Sequence, residues 1–240
     1  LILVVHETTQ LRQMDSMRRD FISNLSHELR TPVSVIKANS ETLLNGALED
    51  KKDAKIFSKA ILHNADRLSE MVTSLIDLSR IEYGELKFVI ERVVLNDLIE
   101  TIVLSHKNKA KKKSIQVLFE HKSDVIVRSD AKAIERVLNN LIDNAFKYSP
   151  ENSIIEIKLK KQGEFIRLAV MDQGEGVAEE EQDLVFKRFF RTATARANTQ
   201  QGSGLGLAIV KNLVYNLQGD VGVKSISDGG SEFWFTIPIN

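Results

Sequence analysis

Between residues 9 and 83 the chain holds one proline, Pro32, and one glycine, Gly46. Glycine and proline are the residues that most disfavour a helix interior, so this stretch reads as long helices. The apolar residues agree. Phe57, Ile61, Asn64, Leu68, Met71, Leu75 and Leu78 follow one another in steps of four and three. That is a heptad seam with one polar member. Leu11, Met14, Phe21, Leu25, Leu29, Val33 and Ile36 form a less regular stripe upstream. Asn45-Gly46 ends the first helix, since glycine accepts the left-handed terminal conformation. Glu49-Asp50-Lys51-Lys52-Asp53 reads as a polar connector. The result is a helical hairpin over residues 9–83. One narrow stripe per helix leaves it under-buried, so a homodimeric four-helix bundle is the simplest packed state. Asn64 on the seam would fix its register.

The flanks differ. Leu1-Ile2-Leu3-Val4-Val5 is a β-branched apolar run ending in His-Glu-Thr-Thr, and residues 1–8 read as a strand trailing from an upstream domain. From Gly84 onward the pattern changes. Strand-like runs occupy 86–90, 115–120, 125–129, 154–160, 165–172, 219–225 and 232–237, many with period-two alternation. Helical patterns occupy 96–110, 131–148 and 205–217. The fold class is therefore multidomain, α then α+β: the hairpin, then a two-layer α/β sandwich over residues 84–240. The polar stretch 178–203 reads as a long loop of the kind that often forms a lid.

Composition removes several classes. Thirty-three basic and 33 acidic residues give a formal net charge of zero, so no global field draws the chain to nucleic acid. The absence of cysteine excludes disulfides and thiolate metal sites. No apolar run approaches the roughly 20 residues of a membrane-spanning helix.

Chemistry concentrates in five places. His27-Glu28-Leu29-Arg30-Thr31-Pro32 sets an imidazole beside a carboxylate, with a hydroxyl one turn on and a proline that a helix normally excludes. His27 could act as a nucleophile with Glu28 as base, and Thr31, on the same face, could position a water. Read alone, the segment fits equally a surface histidine beside a kink. His6, His63, His106 and His121 lack such neighbours and read as solvent-facing. Second, Asn140, Asn144, Lys147 and Tyr148 share one face of a helix whose other face is apolar. Two amides, an ammonium and a phenol suit a polyphosphate with Mg²⁺ held by the Asn144 oxygen. Third, Asp172-Gln173-Gly174-Glu175-Gly176-Val177 closes an apolar strand, where a carboxylate could accept from an amine such as that of adenine. Fourth, Gly202-Ser203-Gly204-Leu205-Gly206 opens a helix whose amides could face phosphate. Fifth, Phe186-Lys187-Arg188-Phe189-Phe190-Arg191 could anchor the lid, with Arg188 or Arg191 reaching a γ-phosphate. Lys107, Lys109, Lys111, Lys112 and Lys113 read as a solvated helix end.

In this order the segments resemble the sensor histidine kinases of two-component systems. The resemblance runs from about residue 9 to the C-terminus. It comprises an H box at 26–32, an N box at 140–148, a G1 box at 172–176, an F box at 186–190 and a G2 box at 202–206. The Met17-Arg18-Arg19-Asp20-Phe21 lead-in looks like the phosphate-sensing subgroup. The resemblance implies a dimerising phosphotransfer hairpin followed by a GHKL (Bergerat) ATP-binding domain, with ATP and Mg²⁺ as cofactors. His27 would be the phosphoacceptor, Glu28 its base and Thr31 the residue supporting dephosphorylation of a partner regulator. Asn144 would hold Mg²⁺, with Asn140, Lys147 and Tyr148 near phosphates or ribose. Asp172 would bind the adenine amine in a pocket shaped by Gly174 and Gly176, and Gly202, Gly204, Leu205 and Gly206 would form lid hinge and phosphate cradle. Partners would be a second copy and a response-regulator receiver domain. Residues 1–8 would be the last strand of a PAS sensor, and the chain the cytoplasmic portion of a membrane-anchored protein. Gln173 stands where asparagine is usual, and Val177 where isoleucine is usual. Two other readings remain: a GHKL ATPase of another class, and a dimeric scaffold with a degenerate pocket.

Overall fold

The computed structural model describes residues 2–121, 123–197, 202–226 and 229–240, with residues 2–21, 82, 196 and 197 described by backbone alone. The chain divides into two compact units, residues 1–76 and 77–240.

The first unit is built on the expected hairpin. Helix α1 runs Ile2–Thr42, a π-helical turn covers Leu43–Ala47, and helix α2 runs Lys51–Glu82, its last turn lying in the second unit. Gly46 makes the reversal at φ +122°, a conformation a side chain resists. Helix α2 starts earlier than its polar sequence suggests. The Asp50 carboxylate accepts the N–H of Lys52 at 2.6 Å and of Asp53 at 3.2 Å, so the expected connector supplies the cap and first turn.

Residues 2–8 are helix, not the expected strand. Their β-branched run favours a strand only where a neighbouring strand completes the ladder. Continuing α1 satisfies the same backbone groups within the helix.

Pro32 lies buried inside α1, where it leaves the Glu28 carbonyl without its helical donor. Across the hairpin the Arg67 guanidinium donates to Glu28 Oε2 at 3.1 Å. The seam of α2 is its least exposed stripe, but much apolar surface stays open: Ile22, Val33, Leu44, Leu48, Ile56, Leu62, Val72 and Ile76 are all exposed. Asn64 does not reach across the seam. Its amide donates back to the Ala60 carbonyl at 2.8 Å.

In the second unit Leu78 and Ile81 of α2 are buried and Asp77 pairs with Arg136. Gly84, at φ +67°, ends the helix as the N–H groups of Glu85 and Leu86 fold back onto the Arg80 carbonyl at 2.9 and 3.2 Å. Residues 86–90 are not the expected strand. The ladder begins with Glu91 opposite Ser129, so these five have nothing to pair with, and Val89 N–H goes instead to Asp130 Oδ2 at 2.6 Å. Strand β1 (Glu91–Val94) pairs antiparallel with β3 (Ile126–Ser129) as a separate ribbon.

The expected helix at 96–110 is two, α3 (Leu95–Ser105) and α4 (Lys107–Lys113), joined at His106. Buried Asn96 holds the following loop by accepting Val125 N–H at 2.7 Å. Strand β2 (Gln116–Phe119) leads through β3 to helix α5 (Ala131–Tyr148). Strands β4 (Ile154–Gln162) and β5 (Phe165–Met171) follow, then the short helix α6 (Ala193–Ala197), helix α7 (Gly206–Asn216), and strands β6 (Val221–Ser225) and β7 (Ser231–Pro238). The main sheet has the order β2-β4-β5-β7-β6, with β2 parallel to β4 and the other pairs antiparallel. Along β7, Phe233, Phe235 and Ile237 point into the core and Glu232, Trp234 and Thr236 do not. The opposing layer is α5 and α7, with Ile134, Val137, Leu138, Leu141, Ile142, Ala145 and Phe146 buried on α5. Each large side chain so buried contributes about 1.5–3 kcal/mol over leaving it in water. The two-layer α/β sandwich is the architecture expected.

Asp130 caps α5 by accepting Ala133 N–H at 2.8 Å on the oxygen that does not hold Val89. That cap fixes where α5 begins, and with it the rotation of the face carrying Asn140, Asn144 and Lys147.

Candidate functional site

Chemistry sits separately in the two units. In the first, His27 is exposed on α1, as is Thr31, whose hydroxyl donates to the His27 carbonyl at 3.3 Å. Glu28 is half-buried and engaged by Arg67, with the two side chains 30% and 20% exposed. The imidazole is therefore open to a large partner, while the adjacent carboxylate is held toward α2.

In the second unit a cavity lies between the sheet and the 185–195 segment, lined by Tyr148, Asp172, Glu175, Gly176, Val177, Phe190, Arg191, Leu207, Ser231 and Phe233. Apolar walls with a few convergent polar groups are the usual make-up of a small-molecule site. Asp172 is 5% exposed. Its Oδ1 accepts the N–H of Gly174 at 2.8 Å and of Ser231 at 3.2 Å, while Oδ2 takes no hydrogen bond from the described residues. Burial pushes this carboxyl above the usual carboxylate range, against the pull of the two N–H donors. The free oxygen suits an amine donor.

The face of α5 meets the glycine loop. Asn140 donates to the Arg136 carbonyl at 2.8 Å, and a Cβ on Gly206 would sit 2.8 Å from its Oδ1. A Cβ on Gly202 would collide with Lys147 Nζ, which also donates to the Tyr148 hydroxyl at 3.0 Å. Burial raises the Tyr148 pKa and the charge of Arg191 opposes it. Gly204 stands at φ +68° with its Cβ position 2.7 Å from the Phe189 backbone, so only glycine lets the loop pass the F box. Leu205 is fully buried and anchors the start of α7. Asn144 is half-buried and makes no side-chain hydrogen bond among the described residues, leaving its amide oxygen available to a hard cation. Of the two arginines considered, Arg191 lines the cavity, and Arg188 is exposed and does not.

Two features escaped the sequence reading. Ser231 supplies a donor to Asp172, and Gly230 before it, at φ +100°, passes so close to the Asp172 carbonyl that any Cβ would strike it. The paired glycines ahead of the last strand were the available signal. The second is His106, which is not solvent-facing. Its ring stacks on Phe146 with centroids 5.7 Å apart, and Nε2 lies 3.4 Å from Asp143 Oδ1. Lys109 donates to the same oxygen at 2.5 Å and Lys113 to the Phe146 carbonyl at 2.6 Å, so part of the lysine cluster braces α5. His121 is also paired, with Glu100 at 3.0 Å, while His63 is exposed and the His6 side chain lies outside the described residues. The loop expected at 178–203 contains α6, and residues 198–201 lie outside the described residues.

A wider hollow of about 520 Å³ opens beside Trp234, Arg167 and Asp220, but none of the motif residues line it. Arg167 stacks on Trp234 there and pairs with Glu232 at 2.6 Å, so these groups already have partners.

Known proteins match along nearly the whole chain. Residues 17–84 match the family described as the His Kinase A (phospho-acceptor) domain. Residues 129–240 match the family described as the histidine kinase-, DNA gyrase B- and HSP90-like ATPase. The sensor-like histidine kinase SenX3 of Mycobacterium tuberculosis is 37% identical over 237 residues, covering 99% of this chain and 58% of its own length. The sensor histidine kinase WalK of Bacillus subtilis is 32% identical over 241 residues, covering 99% of this chain and 39% of its own length. The chain thus spans little more than half the length of the first of these curated relatives. Among solved structures, Acinetobacter baumannii histidine kinase AdeS matches with a TM-score of 0.72 at 26% identity over 89% of this chain and 98% of its own. Histidine kinase ThkA, crystallised in complex with response regulator protein TrrA, matches with a TM-score of 0.78 at 25% identity over 95% of this chain and 64% of its own.

Proposed function

The chain belongs to the sensor histidine kinases of two-component systems, and from that premise we propose that it is an ATP-dependent autokinase that phosphorylates His27 and passes the phosphoryl group to an aspartate of a response-regulator receiver domain. The observation that carries this reading is the meeting of Asn140 and Lys147 with Gly206 and Gly202 beside a cavity containing Asp172. It supports an adenine amine bound at the free Asp172 oxygen and phosphates lying between α5 and the start of α7, since a helix N-terminus favours anions.

One imidazole nitrogen of His27 attacks the γ-phosphorus, the bond to the bridging β–γ oxygen breaks, and ADP leaves. The proton on the other ring nitrogen passes to Glu28. Because Glu28 is engaged by Arg67, that ion pair opens before the carboxylate serves as base. Lys147 holds the phosphates, and catalysis is mainly positioning with charge neutralisation. Asn144 would hold Mg²⁺, which supplies further neutralisation of the phosphates. Glu28 and His27 being on an exposed helix supports a nucleophile that meets two different domains in turn.

The exposed apolar row of the hairpin supports a homodimeric four-helix bundle. Thr31, beside His27 on the same face, supports a phosphatase role toward the regulator. Incubation with γ-labelled ATP and Mg²⁺ tests the central step: acid-labile, alkali-stable label is expected in the wild type and none in His27→Gln. Equal labelling of both would sink the assignment.

A further inference from the structure

Gln173 departs from the residue usual in this family, and its contact explains what the longer side chain does. Strands β4 and β5 pair antiparallel, with Glu156 opposite Met171 at the end of the ladder. Carried two residues further, the same register sets Ile154 opposite Gln173. The backbone does not follow it. After Met171 the chain leaves β4: Asp172 N–H goes to the Ser231 carbonyl at 2.9 Å and Gly174 N–H returns to Asp172 Oδ1. Gly174 also lies against α5, its Cβ position 2.9 Å from the Tyr148 carbonyl. The turn that aims the Asp172 carboxylate thus takes the acceptor of Ile154 away. Gln173 Oε1 replaces it, accepting Ile154 N–H at 2.8 Å. The side-chain amide stands in for a ladder carbonyl while the main chain turns out of the sheet.

We propose that Gln173 is a positioning residue for adenine recognition, tying the Asp172 loop to β4 on one side as Ser231 ties it to β7 on the other. Gln173 does not line the cavity and acts through Asp172. This rests on the nucleotide reading of Asp172 given above. One hydrogen bond to a loop of this kind corresponds to a change of about three- to tenfold in affinity.

The test uses the whole chain with Gln173→Leu, which keeps the bulk and loses the acceptor, and Gln173→Glu, which keeps an acceptor oxygen. In Gln173→Leu the KM for ATP rises about three- to tenfold with kcat unchanged, and the preference for ATP over GTP narrows. Gln173→Glu recovers most of both. A simple loss of folded protein lowers the apparent kcat and leaves KM and nucleotide preference where they were, so early melting of the leucine variant does not mimic the effect. Unchanged KM and preference in Gln173→Leu, or a fall in kcat alone, overturns the proposal. Asp172→Asn run alongside separates the two levels. Wild-type Mg-ATP affinity in that variant sinks the adenine reading itself, whereas its loss with a normal Gln173→Leu removes only the positioning role.

Discussion

The hairpin and the α/β unit treat their key residues in opposite ways. His27 stands exposed on α1, while Asp172 is 5% exposed at the wall of a cavity. The contrast extends to packing. In the single chain, residues 22–76 leave a row of large apolar side chains exposed, whereas α5 alone buries eight residues. A group that must be offered to separate protein domains gains nothing from enclosure. A group that must recognise one small molecule by a hydrogen bond needs water excluded, because low polarity strengthens that bond. Each unit carries the architecture that its proposed task demands.

The sharpest way to break this contrast is to remove a ring from the enclosed side. Phe146→Ala, at a fully buried position, should destabilise the α/β unit by about 3–5 kcal/mol, read by chemical denaturation. A shift below about 1 kcal/mol would mean that the unit is not the rigid partner of the pair. Next in size, Asp172→Asn should weaken Mg-ATP binding about ten- to a hundredfold, the scale of a hydrogen bond to a charged group. It should leave thermal stability at neutral pH unchanged or higher, since it removes a buried charge. Calorimetric titration and a melt on the same sample check both halves.

A smaller effect follows pH. His106 titrates above its ordinary 6.5, because the hydrogen bond to Asp143 outweighs the opposing burial and the nearby Lys109 charge. Asp143 is correspondingly held low: burial would raise it, but hydrogen bonds from His106 and Lys109 prevail. A histidine with a raised folded-state value stabilises fully below the unfolded value of 6.5 and loses that contribution as pH rises through the folded one. The stability gap between wild type and His106→Gln should therefore be widest below pH 6.5 and shrink as pH rises through the higher folded-state value. A gap that grows with pH contradicts the pairing. Smallest of all, Leu62→Ala on the open side of the hairpin should change the stability of an isolated protomer by less than about 0.5 kcal/mol. A larger, concentration-dependent loss would instead locate Leu62 at a contact between two copies.

The elements legible in the sequence were those whose own residues settle them. Helix α5 runs 131–148 as expected, because its apolar face, its Asp130 cap and its following Ser149-Pro150 all lie within or beside it. That Asn140, Asn144 and Lys147 share one face of α5 was legible for the same reason, since periodicity alone sets it. What escaped depended on distant partners. Residues 86–90 have strand-like composition, but only the register of β1 with β3 decides that they stay unpaired. His106 looks like any polar residue until Asp143, 37 positions later, is brought beside it. Ser231 became part of the site because β7 runs next to β5, a neighbour relation that local pattern does not encode. The helical start at residues 2–8 likewise depended on a strand partner, which none of the described residues supplies.

Asp130 holds two things with one carboxylate: Oδ1 takes the Ala133 amide at the head of α5, and Oδ2 takes the Val89 amide of the segment entering the unit. Neither amide can be released by turning that side chain without disturbing the other. Their solvent exchange should accordingly be coupled, with Val89 and Ala133 sharing one opening rate and both protections collapsing together in Asp130→Ala. A single acidic residue thereby makes the segment around Val89 and the head of α5 report the same fluctuation.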